Sequence, residues 1–171
     1  MPAETRKSYG GLEGYLKLDG IDGECSDSKH KNWIEVVKYN LSMEQEGASR
    51  SAGGQSTVGR VNFNDFSIVK FLDKSAPKLA YVCAAGQHIP TAKFELCQST
   101  KDKHPYMKYN LYDVVISSIR TGAEHGDRDL PTEEVTMRFA KIEWEFTPMD
   151  GTGKVQAATK SNWNVKENTG G

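Results

Sequence analysis

Apolar residues recur along this chain with the spacing of strands in most places and with the spacing of a helix in one. In residues 75–85, Leu79, Val82 and Cys83 follow the i, i+3, i+4 spacing of one helix face. Such a stripe has to be buried against another element. The pattern therefore predicts a single helix that packs against a sheet.

The ends of this helix and its neighbours are also marked in the sequence. Ser75 is a favourable N-cap, Pro77 falls in the first turn, and Gly86 suits a left-handed C-terminal stop. On either side, Val61–Phe71 reads as a bent or bulged strand and Thr91–Cys97 as an alternating strand. The centre of the chain is thus predicted to be strand, helix, strand.

Alternating or continuous apolar runs predict further strands before and after this unit. They are Tyr15–Leu18, Trp33–Leu41, Tyr106–Ile119, Glu134–Pro148 and Val155–Val165. Seven strands and one helix favour a mainly-β domain, a barrel or sandwich with the helix on its side or over an end.

Two of the predicted strands have a polar side. In the second strand, Lys38, Asn40 and Ser42 alternate with apolar residues, which predicts a polar stripe on one face. In Thr91–Cys97, Lys93 and Glu95 occupy the face opposite the apolar one, and we expect water to wet that face. Plain solvent exposure explains such stripes, and so does a sheet that lines a wet interior.

The segment Ser42–Arg60 has no apolar period and is rich in Gly, Ser, Gln and Glu. It is longer than the ~12–15 residues beyond which an unstructured loop becomes unusual. We therefore interpret it as a long hairpin insertion that is either disordered or makes a contact outside the monomer.

Composition narrows the class of protein. With 171 residues and no change of composition along them, we expect one domain over residues 1–171, with residues 1–14 as a mobile tail. The formal net charge of −1 permits self-association, and the scattered basic residues argue against a nucleic-acid groove. Neither a cleaved signal nor a membrane span is expected from the hydropathy pattern.

The residues that could carry chemistry are dispersed. Cys25, Cys83 and Cys97 lie far apart without a C-x-x-C pair, so we expect reduced structural thiols. The four histidines lack metal-binding spacing and are expected to be solvated or bonded to their own loops. Ser117 and Ser118 lack a G-x-S-x-G elbow. The sequence thus offers no catalytic, metal or cofactor set, and we expect no enzyme.

Four segments carry a resemblance to a known family. They are YLKLDGIDGECSDSKHKNWIEV, VNFNDFSIVKFLDKSAPKL followed by AAG and a histidine, VVISSI, and SNWNV. In this order they resemble the haemolysin-coregulated protein (Hcp) family, the tube subunit of bacterial type VI secretion. The resemblance covers nearly the whole chain, from about Tyr15 to Asn168.

This resemblance implies a two-sheet β-barrel with one side helix and a long extended loop. It implies a homohexamer whose rings stack into a hollow tube that carries effector proteins. The implied partners are a spike protein, a contractile sheath and secreted effectors, with no nucleic acid and no membrane insertion. The tube is expected to assemble in the cytoplasm and to be secreted without a cleaved signal, and we expect no toxin domain after Gly171.

The resemblance also assigns roles to particular residues. Lys38 and Asn40 become candidates for the lumen surface that contacts effectors, and the helix would face the sheath. The extended loop would reach the next subunit or ring, and its candidate residues are Ser42, Glu44, Gln45, Glu46, Gly47, Arg50, Gly53, Gly54 and Gln55.

Two other classes remain open on the residues alone. A monomeric β-barrel that binds a small ligand predicts an apolar interior cavity. A hydrolase predicts serine or histidine side chains that converge in a cleft.

Overall fold

The computed structural model of the protein describes residues 12–45, 59–100, 102–123 and 130–171. Within these ranges the chain forms twelve strands and one helix, which confirms the predicted mainly-β class. In chain order the elements are β1 (Glu13–Leu18), β2 (Ile34–Val36), β3 (Lys38–Asn40), β4 (Met43–Gln45), β5 (Val61–Phe63), β6 (Phe66–Phe71), α1 (Ala76–Ala85), β7 (His88–Cys97), β8 (Pro105–Gly122), β9 (Thr132–Arg138), β10 (Lys141–Phe146), β11 (Thr159–Asn164) and β12 (Thr169–Gly170).

Ten strands form one antiparallel sheet around the long strand β8, while β4 and β5 form a separate two-stranded sheet. Along one edge of β8, residues 107–112 pair with β10 and residues 115–122 pair with β9. Asp113, with φ of 52°, lies where the partner changes. Because β8 pairs with both β9 and β10 along this edge, the sheet curls into a barrel.

The predicted strand Glu134–Pro148 is therefore two strands, β9 and β10, that pair with different parts of β8. The phase shift in its apolar pattern marks the break at Phe139 and Ala140. The predicted final strand, Val155–Val165, is likewise shorter, because its regular pairing begins at Thr159.

The predicted strand Trp33–Leu41 bends at Val37, and its halves have different partners. β2 pairs with β1, whereas β3 pairs with β6. At the bend, the amide of Val37 donates to the carbonyl of Val69 at 2.8 Å. The chain itself therefore connects the two strands at this corner, and the described strands β2 and β3 form no ladder with each other.

The interior of the barrel is filled by side chains. Tyr39, Phe66, Phe94 and Tyr109 form a cluster with ring centroids 4.9–6.2 Å apart. Offset and edge-to-face contacts at such distances add to the gain from burying apolar area. Aliphatic residues surround this cluster, including Leu16, Ile34, Leu111, Val135 and Ile142.

The helix α1 begins after Ser75 and stops at Gly86, as predicted. Gly86 is left-handed, with φ of 60°, and its amide donates to the carbonyl of Cys83 at 3.2 Å. The hydroxyl of Ser75 does not cap the helix, since it donates to Oδ1 of Asp73 at 2.5 Å. Ser75 thus occupies the predicted N-cap position and Pro77 lies in the first turn, but the Ser75 side chain makes no capping hydrogen bond. Leu79 and Val82 are buried, as the stripe predicted.

The predicted bent strand Val61–Phe71 is β5 and β6, separated at Asn64 and Asp65. Within β6, burial alternates regularly, and Lys70 occupies an inward position where the pattern suggested only apolar residues. Its Nζ lies 2.8 Å from Oδ1 of Asp73 and 2.9 Å from Oε2 of Glu133, and both carboxylates are buried. A lysine is stable there because two carboxylates balance its charge.

Candidate assembly surfaces

The strand β3 presents the predicted polar stripe on the outside of the barrel. Tyr39 points into the aromatic cluster, and its hydroxyl lies 3.5 Å from that of Tyr109. Because side chains alternate along a strand, Lys38 and Asn40 have to face the other way. Both are exposed.

Strand register extends this stripe across four strands, β3, β6, β9 and β8. Two cross-strand rows of side chains form the surface that we call the polar wall. The first row is Lys38, Val69, Glu134 and Arg120, and the second is Asn40, Ser67, Thr136 and Ser118.

The polar wall is chemically mixed. Its first row carries positive charge at Lys38 and Arg120 with Glu134 between them. Its second row has short polar side chains, and the hydroxyls of Ser118 and Thr136 are hydrogen-bonded to each other. A surface of this kind offers hydrogen bonds and both signs of charge without a large apolar patch that would select one partner.

The strands β4 and β5 form an antiparallel hairpin that we call the arm. All three residues of β4 are exposed, and Met43 keeps 44% of its surface. At the base, Phe63 meets the rings of Phe139 and Trp144 with centroids 5.7 and 6.3 Å apart. The arm is thus anchored at its base while β4 lies in solvent.

Further contacts hold the base of the arm to the barrel. Asn64 donates through its side chain to Oγ of Ser42 at 2.7 Å. The guanidinium of Arg60 donates to the carbonyl oxygens of Val165 and Lys166 at 2.7 and 3.2 Å. These bonds tie the start and end of the insertion to the rest of the chain.

The predicted loop residues divide into two groups. Ser42 is half-buried at the base of the arm, and Glu44 and Gln45 are exposed on β4, which the sequence did not predict to be a strand. The other candidates lie outside the described residues: Glu46, Gly47, Arg50, Gly53, Gly54 and Gln55.

Large apolar side chains are exposed at several other places. On α1, Leu79 and Val82 face the barrel, while Tyr81 keeps 61% of its surface. The remaining exposed apolar residues are Val37, Leu72, Leu130, Phe146 and Val155. Exposed aromatic and aliphatic side chains of this size are common at contacts between chains.

A buried histidine lies where residues 22–33 cover β1 and β7. His30 is only 2% exposed. Its ring stacks on Tyr15 with centroids 4.2 Å apart, and the ring of Trp33 lies edge-on at 4.9 Å. These two aromatic contacts determine the plane of the imidazole.

Polar groups surround this imidazole. Nδ1 lies 3.0 Å from Oδ1 of Asp27, in the same loop, and Nε2 lies 2.8 Å from Oε2 of Glu95. Sγ of Cys97 lies 3.8 Å from Nε2. We call His30, Glu95 and Cys97 the His30 cluster. The predicted wet face is confirmed at Lys93, which is exposed, but Glu95 is only partly exposed because His30 lies against it.

Nearby groups shift the ionisation of this region. Nζ of Lys103 lies 2.7 Å from the hydroxyl of Tyr15 and 3.4 Å from Oδ2 of Asp27. The hydrogen bond with Tyr15 raises the pKa of Lys103 against the opposing effect of burial. Burial raises the pKa of the Cys97 thiol to about 12, and the negative charge of Glu95 adds to this rise. The free thiol therefore keeps its proton at neutral pH.

Among the described residues, the His30 cluster is an arrangement of metal-binding groups that sequence spacing did not indicate. Its three ligand atoms lie within 4.8 Å of one another. His30 is bonded to its own loop, as expected for the histidines, but it is buried. Cys25, Cys83 and Cys97 are free thiols, as predicted.

The described residues do not show the arrangement that a serine hydrolase needs. Oγ of Ser117 donates to Oδ2 of Asp65 at 2.5 Å, and the hydroxyl of Ser118 is hydrogen-bonded to that of Thr136. Among the described contacts, neither hydroxyl meets a histidine, which would act as its base. The small-ligand alternative is disfavoured as well, because aromatic side chains fill the barrel interior.

Fold and surfaces together define a small β-barrel protein with a projecting arm and a broad polar face. A family model described as "Type VI secretion system effector, Hcp" matches residues 15–146. The chain therefore belongs to the Hcp family of type VI secretion proteins.

Similar proteins support this assignment. The chain is 33% identical over 159 residues to protein hcp1 of Pseudomonas aeruginosa, covering 92% of this chain and 97% of that protein. A solved structure described as a type six secretion system protein has a TM-score of 0.88 and 29% identity, covering 94% of this chain and all of the other. Hcp1 from Salmonella typhimurium has a TM-score of 0.77 and 26% identity, covering 93% and 98%.

Among the described residues, α1 is too short to cross a bilayer, and no other helix could do so.

Proposed function

We propose that this protein is a non-enzymatic tube subunit, in which six copies close head to tail into a ring and rings stack into a hollow tube. Family membership supports this proposal. The main observation in its support is that one barrel carries both the exposed arm and the polar wall. Head-to-tail contacts that close leave both faces of a ring available for stacking.

The arm supplies the contact between copies. Among the described residues β4 pairs only with β5, so the N–H and C=O groups along its other edge can pair with a neighbouring chain. Its side chains Met43, Glu44 and Gln45 combine apolar area with hydrogen-bonding groups. The arm therefore reaches the next subunit or the next ring, as the resemblance implied.

The polar wall faces the lumen, with Lys38 and Asn40 at its edge. Short polar and oppositely charged side chains keep a lumen wet and avoid strong selection for one client. Small effector proteins would pass or rest there through many weak contacts. The exposure of Lys38 and Asn40 on the outer face of β3 supports this proposed lumen role.

The outside of the ring would then carry α1, whose exposed Tyr81 faces away from the barrel. This surface is directed toward the contractile sheath, and a spike protein closes one end of the tube. The tube assembles in the cytoplasm and leaves the cell without a cleaved signal peptide.

Light scattering and negative-stain images of the purified full chain test this proposal. We expect a mass near six chains and annular particles, with longer tubes at high concentration. A monomer at micromolar concentration, without annular particles, would overturn it.

A further inference from the structure

The His30 cluster has one proton too few for its hydrogen bonds when the imidazole is neutral. Each ring nitrogen faces a carboxylate oxygen, at 3.0 Å from Asp27 and 2.8 Å from Glu95. A carboxylate only accepts, and a neutral imidazole has one N–H. Either a second proton on the imidazole or a metal ion is therefore needed between Nε2 and Glu95.

The charges around the cluster favour a divalent cation. Glu13, Asp27 and Glu95 bring three negative charges, and Lys103 brings one positive charge within 4.0 Å of Glu13 and Asp27. With a neutral imidazole and a protonated Cys97, these groups sum to a charge of −2, which favours a divalent cation over a single proton. When the metal binds, Cys97 releases its thiol proton to solvent, and the occupied site carries a net charge of −1.

The third donor points to the kind of metal. Sγ of Cys97 lies 3.8 Å from Nε2, and Glu95 and Cys97 share one face of β7 because they are two residues apart. We propose that His30 Nε2, Glu95 Oε2 and Cys97 Sγ bind a zinc ion, with a water molecule as the fourth ligand. Nitrogen, oxygen and thiolate ligands are the set that Zn²⁺ takes in proteins.

Two of the three distances between the ligand atoms can be compared with a tetrahedral zinc site, and the third lies within 4.8 Å. Zinc bond lengths of about 2.0–2.3 Å separate two ligand atoms by about 3.3–3.7 Å. The Nε2 to Sγ distance of 3.8 Å needs a small contraction. The Nε2 to Oε2 distance of 2.8 Å needs Glu95 to withdraw slightly, and this side chain is 18% exposed, while His30 is held between aromatic rings.

The surroundings have the form that zinc sites use. Nδ1 of a zinc-binding histidine usually donates to a carboxylate, which orients the ring and strengthens the ligand. Asp27 occupies this position, and its Oδ1 also accepts from the amides of Lys29 and His30. A bound zinc ion would link His30, in residues 22–33, to Glu95 and Cys97 on β7.

Cobalt and zinc titrations of the reduced full-length protein test this inference. We expect Co²⁺ to produce the charge-transfer absorption of a thiolate ligand, and Zn²⁺ to displace it at one equivalent. Cys97→Ser should abolish the absorption and weaken Zn²⁺ binding at least tenfold. Asp27→Asn should weaken binding about tenfold, the lower end of the effect of losing an orienting carboxylate.

Two matched variants serve as controls. Cys83→Ser removes a cysteine outside the cluster, and His88→Gln removes an exposed histidine whose Nδ1 also meets a carboxylate, that of Asp113. Both should bind Zn²⁺ as the wild type does. If Cys97→Ser fails to fold, Glu95→Gln and X-ray absorption of the wild-type zinc complex provide the test, with one sulfur ligand expected.

Three results would overturn the inference. They are no saturable binding of either metal by the wild type, a charge-transfer band that survives in folded Cys97→Ser, and a band that disappears in Cys83→Ser. Ring assembly is measured on the same samples by light scattering, so a failure of the zinc site is distinguishable from a failure of the proposed function.

Discussion

Tyr39 packs against Phe94 with ring centroids 4.9 Å apart, and this contact decides which side of β3 faces outward. With Tyr39 held in the barrel, Lys38 and Asn40 on either side of it project to the exterior. One aromatic contact inside the barrel therefore orients the edge of the polar wall.

Removing this ring should destabilise the monomer. We expect Tyr39→Ala to lower the free energy of unfolding by about 2–4 kcal/mol, because it leaves a cavity among Phe66, Phe94 and Tyr109. Urea unfolding followed by circular dichroism measures the change. Tyr81→Ala, at an exposed tyrosine, should stay within about 0.5 kcal/mol of the wild type.

The buried lysine should be as sensitive to substitution as the aromatic cluster. Lys70→Met removes the positive charge between Asp73 and Glu133 and leaves two buried carboxylates without it. We expect a loss of about 3–5 kcal/mol in urea unfolding. Lys93→Met, at an exposed position on β7, is the matched control and should unfold like the wild type. Equal stabilities for the two variants would contradict the role given to Lys70.

A bulky residue on the polar wall should affect cargo and leave assembly intact. If Asn40 faces the lumen as proposed, Asn40→Trp places a large ring there, and we expect annular particles of normal mass that no longer co-purify with effector proteins. Ala84→Trp, on the exposed side of α1, should retain its cargo. Misfolding of Asn40→Trp would instead show that this position packs in the monomer.

Shortening the insertion should separate assembly from folding. Deleting residues 48–55 leaves β4, β5 and the contacts of Phe63 in place, so the circular dichroism spectrum should remain β-type. Light scattering should show a shift from rings toward monomers. Loss of the β-type spectrum would mean that the deleted residues belong to the folding unit.

Stability should fall in acid because of the ion pairs on β10. The hydrogen bond from Lys160 lowers the pKa of Glu145, and the hydrogen bond from Tyr112 lowers that of Glu143. In the pH range between the folded and unfolded pKa values the unfolded chain binds more protons, so stability rises with pH there. The stabilisation from these two carboxylates is complete above their pKa in the unfolded chain. It is lost as the pH falls through their pKa in the folded protein.

Urea midpoints measured from about pH 6 down to about pH 2.5 follow this loss. Glu145→Gln should flatten the dependence, whereas Glu167→Gln, at an exposed glutamate, should leave its slope unchanged. An unaltered slope in Glu145→Gln would contradict the assignment.

Much of the architecture follows from local patterns. Alternation in Thr91–Cys97 predicted that Ala92, Phe94 and Leu96 are buried, and the stripe on α1 predicted the burial of Leu79 and Val82. Gly86 predicted the end of the helix because its left-handed backbone suits glycine. Such signals are readable because they depend on neighbours within a turn or a strand.

Other features depend on residues far apart in the chain. The bend at Val37 is defined by pairing with β1 on one side and β6 on the other, and Lys70 is buried because Glu133 lies across β9. The local pattern contains neither partner. The sequence therefore predicts one continuous strand across Val37, and the local pattern gives no reason to expect Lys70 to be buried.

The sequence by itself determined the strand and helix periods, the family, and the polar stripe of Lys38 and Asn40. Only the tertiary structure decided that His30 meets Glu95 and Cys97, because these groups are separated by 65 and 67 residues. Local patterns report which side of an element avoids water. Which distant charges and thiols share a buried space is decided when the sheet curls and the loop closes over it.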